Sequence, residues 1–392
     1  MNAYNTGMPD NAVRILTTHC GSLPRPKPLL DLMKEKLQGR QYDAGEYDAE
    51  VRSAVVQCVR QQAECGIDIP TDGEQGKAGF YAYVTERLGG FEARPGRRQG
   101  VFAAELEAFP EYYEDYFSRA MLGATLAPVS SVICTGPVSY RGQEAVRRDI
   151  DNLKAALNGW NPADAFLPAV APSGVGKNEF YPTEQEFLYA VAEAMRHEYL
   201  AIIQANFQLQ IDDPFLTELY SYSKLTPAER RKMGEMYVEA LNYGLRGIPA
   251  ERVRYHTCYG INEGPRVYDA PLRDLIDLVL KVNAGAYSFE AANPRHEHEY
   301  RIWETVKLPE GKSIIPGVIS HANNIVEHPE WIAERLVRYA RLVGRENVIA
   351  GADCGFSSQA TYRPEVHPTV IWSKFKAMAE GARLASEQLW RG

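Results

Sequence analysis

Two rhythms of apolar positions alternate along the chain. Short apolar runs of strand length, bounded by Gly, Pro or polar residues, are separated by longer stretches in which apolar residues recur every three or four positions. That alternation is the pattern of an α/β fold built on a parallel sheet. Nine runs predict strands: RILTTHCGS (14–22), GIDIPTDGE (66–74), SSVICTGP (130–137), DAFLPAVAP (164–172), FQLQIDDP (207–214), VRYHTC (253–258), AYSFEAAN (286–293), SIIPGVIS (313–320) and NVIAGADCG (347–355). Helical spacing fills 46–65, 183–205, 226–245, 271–282 and 329–343, several of these opened by Thr, Asp or Pro and closed by Gly.

Eight strands close a (β/α)₈ TIM barrel, and roughly 250 residues plus insertions suit this length. The run 164–172 stays out of the predicted ring, because Pro168 removes a ladder donor and further prolines follow. The expectation is one domain over 1–392, with insertions over the C-terminal mouth at about 80–129, rich in Tyr, Phe and acidic residues, and 138–182, ending in the Gly-containing stretch 172–182.

Composition narrows the function. The chain is 45% hydrophobic and 24% charged, sufficient for a large core, and its formal net charge is −8 with Lys and Arg scattered. No basic footprint for nucleic acid or an anionic membrane exists, which leaves small-molecule chemistry. MNAYNTGMPDNAV lacks the charged start and apolar core of a signal peptide, and no run approaches the ~20 apolar residues of a membrane span, so a cytoplasmic location is expected. The six cysteines form no CxxC pair and are expected as free thiols or metal ligands.

The strand ends carry the chemistry. Ser22, Glu74, Asp212, His256, Cys258, Glu290 and Cys354 all fall at or just past the C-terminal end of a predicted strand, where barrel loops assemble active sites. His256 and Cys258 are two apart, so in a strand they project to the same side. With Cys354 and Glu290 they form a thiolate, imidazole and carboxylate set suited to Zn²⁺. Two thiolates and a carboxylate make such a zinc electron-rich, better at holding a thiol as thiolate than at making hydroxide. A closed structural zinc is the competing reading. NPRHEHEY (293–300) brings His296 and His298 beside Arg295. Its alternating acids and bases fit a solvated loop, with Arg295 a candidate clamp for an anionic substrate group.

The same residues carry a resemblance. HCGSLPRP (19–26), GIDIPTDGE (66–74), CTGPVS (134–139), LQIDDP (209–214), HTC (256–258), the SFE of 288–290, PGV (316–318) and ADCG (352–355) run in order through nearly the whole chain. Together they resemble the catalytic C-terminal barrel of cobalamin-independent methionine synthase, whose zinc signature is HxC, a strand-end Glu and DCG. The resemblance implies a (β/α)₈ barrel with zinc at its mouth. It further implies that Ser22, Glu74 and Asp212 hold the amino-acid part of homocysteine, two carboxylates receiving the ammonium group.

Three departures qualify it. The chain has the length of one barrel where long members have two. FSRAMLGATLAPVSS (117–131) offers no counterpart to the Ser-Arg and Arg-Pro-Pro stretch that helps receive folate. Ser320 stands where the family's PGVYD run has Asp, which makes His321 beside it the candidate proton donor. EGPRVYDAPL, ANPRHEHEY and GADCGFSS are more similar to single-barrel relatives, which include short methionine synthases with other methyl donors and epoxyalkane:coenzyme M transferase. The expected function is therefore a zinc-dependent thiol alkyltransferase that methylates homocysteine from a donor other than folylpolyglutamate. The alternatives are a coenzyme M transferase that opens an epoxide, with Arg25 or Arg295 receiving the sulfonate, a metal-free enzyme resembling uroporphyrinogen decarboxylase, and a non-catalytic zinc or metabolite binder.

Overall fold

The computed structural model describes residues 13–95, 103–119, 125–126, 130–221, 224–260 and 263–391. Its strands in chain order are β1 (Leu88–Pro95), β2 (Ser130–Tyr140), β3 (Phe166–Val170), β4 (Lys177–Asn178), β5 (Gln208–Asp212), β6 (Val253–His256), β7 (Ala286–Phe289), β8 (Ser313–Ile319) and β9 (Gly351–Ala352). Six of them form a parallel sheet in the order β3-β5-β6-β7-β8-β9. Parallel bridges Thr17–Ala350 and Thr18–Ile69, with the Phe166 amide donating to the Pro70 carbonyl at 3.1 Å, carry the ring through segments 15–18 and 67–70 back to β3. The α/β barrel expected from the alternating pattern is present.

Its membership differs from expectation at two runs. DAFLPAVAP supplies β3, inside the ring. Phe166 and Val170 direct their amides away from β5, to the Pro70 carbonyl and the Tyr83 hydroxyl respectively, while the ladder to β5 runs from the Gln208 amide to the Ala165 carbonyl and from the Ala171 amide to the Asp212 carbonyl. Pro168 falls between the two outward amides, where the neighbouring segment is already turning away, so its missing donor interrupts no ladder bond. SSVICTGP instead lies outside the ring, in β2, which pairs antiparallel with β1 and parallel with β4. The predicted insertion 138–182 therefore contains a barrel strand.

Most helices follow their sequence signals. Thr226 closes a capping box with Glu229 ahead of Pro227–Gly244, Thr183 caps Glu184–Gln204, and Asp43 accepts from the Gly45 and Glu46 amides to open Ala44–Glu64. The predicted helix 271–282 is instead a 3₁₀ turn, Leu272–Asp274, and one short turn, Ile276–Val279. In the 80–129 stretch, helices Ala103–Ala108 and Pro110–Arg119 lie against the loops after β6 and β9. Glu105 accepts from the Tyr268 amide at 3.1 Å, and the Tyr112 and Tyr116 hydroxyls bond to the Glu263 carbonyl and Glu365. Among the described residues no helix is long and apolar enough to cross a membrane.

The barrel interior holds Leu16, Ile69, Phe166, Ala286, Ile315 and Ile349 as one apolar cluster. Arg254 also enters it, with its guanidinium 3.9 Å from the Phe166 ring centroid, donating to Thr18 Oγ1 and the His19 carbonyl at 2.9 Å each. Two residues on from Arg254 the same strand face presents His256 at the mouth, so the site stands on a filled floor.

Candidate functional site

Three of the four expected metal ligands converge. One donor atom each from His256, Cys258 and Cys354 lies within 4.8 Å of the other two, and all three residues are buried. The sulfurs of Cys258 and Cys354 are 3.3 Å apart. The Cys354 thiol donates to Cys258, which holds Cys258 well below the usual thiol range against its burial and pushes Cys354 well above it, so the pair shares one proton. His256 Nδ1 lies 3.2 Å from Ser288 Oγ and 3.6 Å from Cys20 Sγ, while its Nε2 is buried without a hydrogen-bond partner. Two sulfurs and an orphaned ring nitrogen are a donor set that fits Zn²⁺.

Glu290 is not in that group. Its carboxylate belongs to a neighbouring one with His321 and Asp353. Oε1 accepts from the Tyr259 amide at 2.8 Å and Arg266 Nη2 at 3.0 Å, and Oε2 accepts from Asn293 Nδ2 at 2.8 Å with Arg266 Nη1 also 2.8 Å away. Asp353 gathers the Ala291 and Ala292 amides at 2.7 Å each and the Asn293 amide at 3.0 Å, tying the loop after β7 to the end of β9. His321 is buried with Nε2 3.2 Å from the Gly260 carbonyl and Nδ1 unpartnered, and burial together with the Arg266 charge pulls its pKa down to about 4, leaving the ring neutral.

The carboxylates expected around an amino group are at the mouth and buried. Burial pushes Glu74 up to about 7, with Lys77 opposing and Asp212 adding, and Glu74 Oε2 has no partner. Glu74 sits at φ 54°, a left-handed conformation unusual for a side chain this long. Burial likewise raises Asp212 to about 6, against the pull of His256 and a 2.7 Å bond from Gln210 Nε2. Ser22 Oγ lies 3.4 Å from Ser358 Oγ, in space left by Gly355, where a Cβ would stand 2.0 Å from it.

The two candidate anion clamps are directed elsewhere. Arg25 is buried and donates to the backbone carbonyls of Ser357, Glu74 and Lys77 at 3.0, 2.8 and 2.6 Å, fastening loops together. Arg295 is exposed and donates to the Val267 carbonyl at 3.2 Å. In the NPRHEHEY cluster His298 is exposed, as a solvated loop predicts, but His296 is buried between Asp269 and Glu299, at 3.1 and 2.8 Å. It stacks on Tyr259 with centroids 4.0 Å apart, and despite burial the two carboxylates raise its pKa to about 9.

Sequence reasoning missed Arg266, Asp353, Ser288 and Lys77. Asp353 stands directly before a ligand in ADCG, and Ser288 two before Glu290 in SFE, so both were inside matched motifs without a role. Lys77 reaches from GKAGF to the Pro168 carbonyl at 2.6 Å, and nothing in its local sequence signals that contact.

Comparison with known proteins agrees with this architecture. No protein-family profile matches the chain. It is 25% identical over 381 residues to a methionine synthase of Saccharolobus islandicus, covering 96% of each protein. It is 23% identical over 350 residues to that of Sulfolobus acidocaldarius, covering 89% of this chain and 87% of the relative. Among solved structures, a B12-independent methionine synthase of a Shewanella species in complex with selenomethionine superposes with a TM-score of 0.73 at 18% identity, covering 97% of this chain and all of that one (100%). A Listeria monocytogenes structure assigned to the same type gives 0.66 at 20% identity over 94% and 98% of the two chains.

Proposed function

Since near-full-length sequence matches and the fold both point to the cobalamin-independent methionine synthase family, we propose that the protein is a zinc-dependent methyltransferase acting on the thiol of homocysteine. The methyl donor is one other than folylpolyglutamate. The observation that carries the reading is the convergence of His256, Cys258 and Cys354 within 4.8 Å at the C-terminal mouth. Zinc bound there supplies a lowered thiol pKa, so that the nucleophile is a thiolate at neutral pH.

The chain's own residues orient the substrate. Glu74 and Asp212 receive the ammonium group, and Ser22 donates to the carboxylate. A substrate anchored at that end presents its sulfur to the metal in one orientation, which removes much of the entropic barrier. His321, neutral and with Nδ1 unpartnered, is the candidate proton relay. Helices Ala103–Ala108 and Pro110–Arg119 bond to the loops after β6 and β9, and their proposed role is to exclude water from the mouth and receive an incoming donor.

Coenzyme M fits less well. A sulfonate needs a free cationic donor, yet Arg25 is engaged by carbonyls and Arg295 points outward, whereas a pair of buried carboxylates suits an amino group.

Metal analysis by mass spectrometry on wild type and Cys354→Ser, followed by zinc-edge X-ray absorption with either thiol, tests the proposal. Near-stoichiometric zinc that is lost in the variant and gains a sulfur neighbour with homocysteine is the expected result. Zinc-free protein, or a metal shell that ignores both thiols, overturns it.

A further inference from the structure

Just past Glu74, the segment GKAGF (76–80) buries a lysine. Lys77 is 4% exposed, and its Nζ donates to the Pro168 carbonyl of β3 at 2.6 Å and lies 4.3 Å from the centroid of the Tyr83 ring. An ammonium group at that distance is attracted by the ring's π-system. The ring is itself fixed. The Tyr83 hydroxyl donates to Glu198 Oε1 at 2.9 Å and accepts from the Val170 amide at 3.2 Å, while the Arg87 guanidinium lies 4.6 Å from the same centroid and 3.1 Å from Glu198. The backbone of Lys77 is tied as well, its amide donating to the Glu74 carbonyl at 3.1 Å and its carbonyl accepting from Arg25 Nη2 at 2.6 Å. The cation is held from both ends.

Its position is close to the Glu74 carboxylate but not on it. A Cβ at Gly21 would stand 3.1 Å from Glu74 Oε1 and 3.3 Å from Pro168 Cγ, so the carboxylate lies along the proline whose carbonyl holds Lys77. Glu74 Oε2 is nevertheless buried with no hydrogen-bond partner. The charges that act on Glu74 are Lys77 and Arg25, which favour its ionised form, and Asp212 and Asp72, which oppose it. All are buried. With Glu74 ionised, three carboxylates meet two cations, and the cluster is one positive charge short.

Resting on the homocysteine reading above, we propose that Lys77 is a positioning residue for the amino-group site: its fixed charge lets Glu74 stand ionised beside Asp212, with Oε2 free for one ammonium group. Burial and a neighbouring carboxylate both resist that ionisation, and a nearby cation offsets them. Lys77 does so without taking the substrate's place, because its contacts go to a carbonyl and a ring. The site then selects a zwitterionic amino acid over the same molecule without its amino group.

The test measures binding to the zinc-loaded full chain. L-Methionine is the probe, since its thioether carries no proton, and 4-(methylthio)butanoate is the same molecule without the amino group. Calorimetric titrations from about pH 5.5 to about pH 8.5 span the ionisation of Glu74. They compare wild type with Lys77→Gln, which keeps a donor for the Pro168 carbonyl but loses the charge, and with Lys77→Arg, which keeps the charge. Wild type should bind methionine more tightly as pH rises, with a midpoint at about 7. Lys77→Gln should move that midpoint up by about one pH unit or more, weakening methionine binding about fivefold at neutral pH, and leave the amino-free ligand unaffected. Lys77→Arg should keep the wild-type midpoint. A lysine that only fastened its loop to β3 would leave the midpoint in place when replaced by a hydrogen-bonding glutamine.

An unmoved midpoint in Lys77→Gln, with wild type still preferring methionine to the amino-free ligand, overturns this inference and leaves the proposed function standing. Wild type that binds the two ligands alike at every pH overturns both. If Lys77→Gln does not fold, Lys77→Arg decides, since a displaced midpoint there overturns the inference.

Discussion

A Cβ placed on Gly317 would stand 2.0 Å from Asp353 Oδ1 and 2.7 Å from the Asp353 backbone nitrogen. The carboxylate occupies that space because it collects three consecutive amides, from Ala291 to Asn293, and so sets the loop bearing Glu290 against the strand end bearing Cys354. The glycine of PGV and the aspartate of ADCG are two halves of one contact. Gly317→Ala meets backbone as well as side chain, and overpacking of this kind costs about 1–3 kcal/mol. Urea denaturation should show that loss, and zinc content should fall with it; unchanged stability and metal content would contradict the contact.

His296 makes stability depend on pH in the alkaline range. Burial works against its charge, but Asp269 and Glu299 raise its pKa from 6.5 to about 9. The folded state therefore holds a proton that the unfolded chain releases: this contribution is fully present below pH 6.5 and is lost as pH rises through about 9. His296→Gln should be less stable than wild type by about 3 kcal/mol near pH 6, with the gap closing above pH 9. A gap that stays constant with pH would show that the ring is neutral in the folded protein.

Glu74 has a consequence of the same sign at lower pH. Its pKa is raised by burial from 4.5 to about 7, so the folded state keeps a proton the unfolded chain gives up, and stability falls as pH rises between those values. Glu74→Gln should match wild type below about pH 4.5 and exceed it by about 1–3 kcal/mol above pH 7. Ligand binding should carry the reverse signature, because a substrate ammonium favours the ionised carboxylate. The KM for homocysteine should drop as pH rises from 6 to 8 in wild type and be higher and flat in Glu74→Gln. Identical profiles would remove Glu74 from substrate binding.

Lys374 is fully buried, and its Nζ lies 2.9 and 3.0 Å from the two oxygens of Glu327, which also accepts from the Ser320 amide at 2.7 Å. The pair staples the loop that begins at Ser320 and His321 to the last helix, Pro368–Trp390. Lys374→Met leaves a buried carboxylate uncompensated and should cost about 3–5 kcal/mol. Lys374→Met/Glu327→Gln should recover part of it, measured by thermal or urea unfolding. Equal losses in the single and double variants would mean that packing, not charge, holds the loop.

Much of this was legible in the sequence, and the failures have causes. The strand-end pattern placed Ser22, Glu74, Asp212, His256, Cys258 and Cys354 at one mouth, because a parallel barrel leaves chemistry nowhere else to gather. Pro168 hid β3: a proline counts against a strand only if its amide side faces a neighbour, and that depends on register, which no single run reveals. SSVICTGP passed for a barrel strand because an apolar run pairing in a side hairpin looks the same locally as one pairing in a ring. Arg266 was invisible for a related reason. Its partners lie 24 residues on, at Glu290, and three residues on, at Asp269, in a loop with no periodicity to read.

The seam of the ring has a consequence during biosynthesis. Segment 15–18 joins the barrel by hydrogen bonds to the far end of the chain, Thr18 to the Ala350 carbonyl at 2.9 Å and the Ala350 amide to Leu16 at 2.8 Å. A ribosome makes the first of these partners long before the second. Until β9 emerges, β8 presents an open edge and the first segment has no neighbour on one side, so the nascent chain carries exposed strand edges throughout elongation. Pairings this distant in sequence are slow to form, and a chain arrested before Gly351–Ala352 should be held by chaperones rather than waiting as a nearly finished barrel.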